Sequence, residues 1–188
     1  MCFKSWNPSD FAAWVQAIAA TAAIYFSAKF GRDQSDEQYK NSQKLQKQEA
    51  KNQEIVMTEA VTEIIKNTDS RVTYVKESLK DRDTIGNYVF KMEYFDLDCL
   101  TEVLDSLKQI PLKDLPSSKL VTNVMHLTSA VRQLEIQMEK TFKEYSEMNS
   151  KEFDRFLLTI EQIKTCTSDI YEETKVYLDK LKEEASSY

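Results

Sequence analysis

The chain has 188 residues, room for one domain and an appendage, and only 2 Gly and 3 Pro, far below the roughly 12% combined usage of ordinary proteins, which excludes turn-rich β architecture. Hydrophobic residues make up 41% of it, which excludes simple disorder. The net charge of −6 is uneven, +1 over residues 1–54 and −7 over residues 55–188, and so acidic a second part is a poor phosphate binder, so nucleic acid is not an expected partner.

After a short N-terminal tail (residues 1–10), the stretch 11–28 reads FAAWVQAIAATAAIYFSA and carries no formal charge. As a helix it covers roughly 27 Å at about 1.5 Å per residue, and Lys29 and Phe30 extend it toward the roughly 30 Å of a hydrocarbon core. The expectation is a transmembrane helix over residues 11–30. Its anchoring residues are Phe11, Trp14, Val15, Ile18, Ile24, Tyr25 and Phe26. Trp6, Trp14, Tyr25 and Phe30 lie toward the two ends, as interfacial aromatics do. Two alternatives stay open. A surface-lying helix would gather its polar residues on one face, but at 100° per residue Thr21 and Lys29 point away from Gln16 and Ser27. A cleaved signal peptide would use Ala17-Ile18-Ala19 or Ala20-Thr21-Ala22, although Lys4 alone supplies its positive region.

Orientation follows from basic residues. Lys4 precedes the segment, whereas Lys29, Arg32, Lys40, Lys44 and Lys47 follow it. The positive-inside rule then sets the N-terminus outside and the C-terminal part in the cytoplasm of an inner, or plasma, membrane. Ala13, Ala17 and Thr21 form a small-residue face suited to self-association of the anchor, although any Ala-rich span produces such spacings. The run Trp14-Val15-Gln16-Ala17-Ile18 resembles the opening of uncharacterised bacterial and prophage single-pass membrane proteins. The resemblance covers about 20 residues. It implies a bacterial or phage inner-membrane context and no activity.

Residues 31–54 form a polar stalk rich in Lys, Gln and Glu, good helix formers, and Ser35 with Gln38 fits a capping box. A flexible tether is the alternative. From Ile55 the pattern turns amphipathic through Met57, Val61, Ile64, Ile65, Val72, Val75 and Leu79. This predicts one helix over about 36–81 with a break across 81–87. A second helix over 88–109 carries Phe90, Leu97, Leu100, Leu104 and Leu107, and Pro111 and Pro116 end it. Ser117 or Ser118 caps a third, whose seam is Leu120, Val124, Leu127, Val131, Leu134 and Met138. Asn149 and Glu152 box the start of a fourth, where Phe153, Phe156, Leu157, Ile160, Ile163, Ile170, Tyr171, Leu178 and Leu181 build a broader face. Short connections favour antiparallel neighbours. The expected fold is all-α: anchor, extended stalk helix and an antiparallel, acidic helical bundle over residues 55–188.

Chemistry-bearing patterns are few. His126 lacks the Glu three residues earlier that a di-iron bundle wants, and is expected at the edge of the core. Cys2, Cys99 and Cys166 are scattered; only an exported chain would pair Cys99 with Cys166. The run Glu93-Tyr94-Phe95-Asp96-Leu97-Asp98 reads as a solvated helix face, with acid–base or cation chemistry at Asp96 and Asp98 as the sharper alternative. Two isolated glycines supply neither a phosphate loop nor a nucleophile elbow. No catalytic residue, cofactor or metal is expected. The expected partners are the bilayer, an unidentified protein and further copies of the chain. The leading expectation is a membrane-anchored, non-catalytic interaction module at the cytoplasmic face. A membrane-active effector (phage exclusion, abortive infection or lysis) whose anchor oligomerises is the alternative.

Overall fold

The computed structural model describes the backbone of residues 8–91, 95–96 and 98–186, and the side chains of residues 16, 19–91, 95–96 and 98–186. The described elements are helices α1 (Pro8–Ser78), α2 (Arg82–Val89), α3 (Asp98–Lys108), α4 (Ser118–Glu144) and α5 (Ser150–Ser186), with one 3-10 turn at Leu112–Asp114. The fold is all-α, and no strand occurs among the described residues. Two compact units divide it, residues 1–50 and 51–188.

In the first unit α1 begins at Pro8, where the ring's fixed φ and missing N–H cost nothing in a first turn. The polar stretch 31–54 is helical, and the helix runs through Ser35 and Gln38, which therefore start nothing. The helix predicted to begin near residue 36 begins 28 residues earlier because no proline interrupts residues 9–35. Every described side chain from Ala19 to Ala50 is exposed.

The second unit is a helical bundle. Along α1, Lys51 meets Glu184, Glu59 meets Lys182, Asp69 meets Thr167 and Ser168, and Lys76 meets Glu161. Partner numbers fall as α1 numbers rise, so α1 and α5 are antiparallel. The same logic sets α3 against α4, where Thr101 donates to Glu135 while Leu107 and Ile110 lie beside Val124 and Thr128. α4 packs along α5. The core is the predicted stripe set almost throughout: Val61, Ile65, Val72, Val75 and Leu79 of α1, the whole α4 seam, and Phe153 to Leu181 of α5. The Asn149–Glu152 box forms reciprocally at 2.8 and 3.2 Å, and the Ser117 hydroxyl accepts the Lys119 N–H.

The region between α1 and α3 departs from expectation. The predicted break across 81–87 is instead α2. Asp81 accepts the Thr84 N–H at 2.8 Å, and the Thr84 hydroxyl accepts the Asp81 N–H in return. The predicted second helix over 88–109 is not one helix. α2 closes at Phe90 and Lys91, which sits at φ 57°, the left-handed conformation that usually signals itself with Gly or Asn. Phe95 and Asp96 are not helical, and the next described helix is α3 from Asp98. Phe90, expected inside, is 63% exposed, because α2 aims Ile85 and Gly86 inward instead. Leu97 lies outside the described residues.

Within the described part of the acidic run, Phe95 enters the core, while Asp96 is half-buried and Asp98 exposed. Phe95 is buried, stacked on Tyr74 at 5.8 Å and flanked by Tyr88 and Phe142. Beside it, Arg82 lies 4.6 Å over the Phe153 ring, and the Tyr145 hydroxyl donates to the Arg82 carbonyl at 3.1 Å. These contacts fix α2 against the α4–α5 turn.

Candidate functional site

In the first unit α1 presents Ile24, Tyr25, Phe26 and Phe30 to the outside, with Ile24 and Phe30 at 71% and 70% exposure. Side chains this large cost about 1.5–3 kcal/mol each when left in water rather than buried. Thr21 is exposed on the same helix. The side chains of Phe11, Ala13, Trp14, Val15, Ala17 and Ile18 lie outside the described residues, so the expected anchor is described over only part of its length. Among the described residues no helix is long and apolar enough to cross a membrane.

In the second unit there is an open groove of about 820 Å³. One wall is α1, through Val56, Met57, Ala60, Val61 and Ile64; the other is the end of α3 and its connection, through Ile110, Pro111 and Leu115. Asn52, Gln53, Ser106 and Gln109 rim it, and no lining residue is charged. That wall follows the end of α3 at Lys108, where Pro111 stops the helix from continuing and leads into the 3-10 turn Leu112–Asp114. Val56 stands out from α1 at 64% exposure, and with Ala60 it also lines a shallower groove on the α5 side. Sequence reasoning gave Val56 no role because it lies off the core stripe.

Several charges near the groove are engaged within the chain, while Lys113 and Asp114, between Pro111 and Leu115, are exposed. Lys51 pairs with Glu184, Glu59 with Lys182, Glu63 with Lys66, and Asp105 with Lys108. Glu54 accepts from the Tyr177 hydroxyl at 3.1 Å, and burial followed by that bond pushes the phenol above its ordinary value.

Titratable groups elsewhere serve structure. Glu173 is held below the usual carboxylate range, chiefly by the Lys119 ammonium and then by the Asn123 amide. Asp81 is held low by the Thr84 N–H. His126 is exposed on α4 rather than at the core edge, because the neighbouring seam positions Val124 and Leu127 take the inward directions. Cys99 and Cys166 are free, one buried and one exposed, and desolvation pushes both thiols above their ordinary value. Asp96 is half-buried and accepts the Asp98 N–H, while Asp98 is exposed; Glu93 lies outside the described residues. Among the described residues no three His, Cys, Asp or Glu side chains come together to hold a metal ion.

Neither family models, nor curated proteins, nor solved structures give a match to this chain.

Proposed function

We propose that this protein is a membrane-tethered, non-catalytic interaction module, with its N-terminus outside and its bundle at the inner face of a plasma membrane. The observation that carries the tether is the run Ile24, Tyr25, Phe26 and Phe30, large apolar and aromatic side chains exposed along a helix whose described neighbours are exposed as well. Water is a costly surrounding for such a surface, and lipid is not. The uncharged sequence from Phe11 to Ala28, followed by basic residues, supports both span and orientation. The interaction face is the uncharged groove between α1 and α3. It combines an apolar floor with a polar, neutral rim, the composition of a protein-docking surface.

Carbonate extraction of cells expressing the full chain tests the tether. A resistant membrane pool is expected, and replacing Ile24 and Phe26 with Asp should release it. An intact chain found wholly in the soluble fraction would sink the reading. Collapse of the membrane potential on overexpression, abolished by leucine at Ala13, Ala17 and Thr21, would favour a membrane-active effector instead. A reporter fused to the C-terminus reads the orientation.

A further inference from the structure

We draw no further inference here: the strongest candidate, the uncharged groove between α1 and the end of α3, belongs to the docking face already proposed, and nothing in the structure shows what covers it.

Discussion

Asp69 of α1 and Ser168 of α5, 99 residues apart in the chain, are joined by a 2.7 Å hydrogen bond from the serine hydroxyl to Oδ1. The same oxygen accepts the Thr167 hydroxyl at 2.8 Å, and the Lys164 ammonium donates to the Ser168 oxygen at 2.7 Å. Thr167 is fully buried while Asp69, Lys164 and Ser168 are half-buried, so this is a partly shielded polar connection between two long antiparallel helices. Apolar stripes alone leave the axial register of such helices loosely set, and a directional bond sharpens it. Asp69→Ala should therefore destabilise the bundle by about 1–3 kcal/mol, because it removes a charged acceptor from the Ser168 and Thr167 hydroxyls, of which Thr167 keeps the Lys164 carbonyl at 2.9 Å. Asp69→Asn, which keeps an acceptor oxygen, should cost less. Denaturant midpoints at constant m-value check both.

Phe95 closes the end of the bundle from a position outside any helix. Its ring meets Tyr74, Tyr88 and Phe142, and truncation leaves those three facing a void. Phe95→Ala should cost about 3–5 kcal/mol. Asp98→Ala, at an exposed position two residues beyond the half-buried Asp96, should stay within about 0.5 kcal/mol. Equal losses from the two substitutions would contradict the assignment of this segment's role to its aromatic.

The two glycines should respond in opposite directions. A Cβ on Gly31 meets nothing, so Gly31→Ala should strengthen α1 by about 1 kcal/mol through helix propensity. A Cβ on Gly86 would lie 2.5 Å from the Tyr145 hydroxyl, which is held by the Arg82 carbonyl. Gly86→Ala should thus lose about 1–3 kcal/mol by overpacking. Thermal melts of the two variants give the comparison.

The start of α2 should loosen in acid. The Thr84 N–H holds the Asp81 carboxyl below its ordinary value of 3.8. With the folded pKa lowered, the cap's contribution is present above the ordinary carboxylate value and is lost as pH falls through the lowered one. Hydrogen-exchange protection of the Thr84 amide should fall over that acid window. Asp81→Asn, whose amide oxygen accepts without titrating, should make the protection pH-independent there. A titration unchanged by Asp81→Asn would refute the cap as its cause.

What could be read in advance follows the range of the forces. The α4 seam from Leu120 to Met138 and the Asn149–Glu152 box form as predicted, and so does the α5 face apart from Leu157 and Tyr171, which are half-buried at its edge, because helix periodicity and capping act within a few residues and leave a mark at fixed spacing. The end of α2 left no such mark, since Lys91 adopts the left-handed conformation where Gly or Asn would have announced it. The buried threonines were equally silent. Thr58, Thr62 and Thr174 hide their hydroxyls by donating to the carbonyl four residues back, at 2.8, 2.7 and 2.8 Å, so they serve as core residues despite their polarity.

The sequence by itself determined the helical class, the charge split between residues 1–54 and 55–188, the uncharged stretch from Phe11 to Ala28 and the inward faces of α4 and α5. These are properties of composition and of spacings under about seven residues. Only the tertiary structure decided that Asp69 meets Ser168, that Phe95 plugs the bundle end, and that Val56 stands beside an uncharged groove closed by Pro111. Each of those joins residues dozens of positions apart, and no local pattern encodes which stripe will face which until the helices pack.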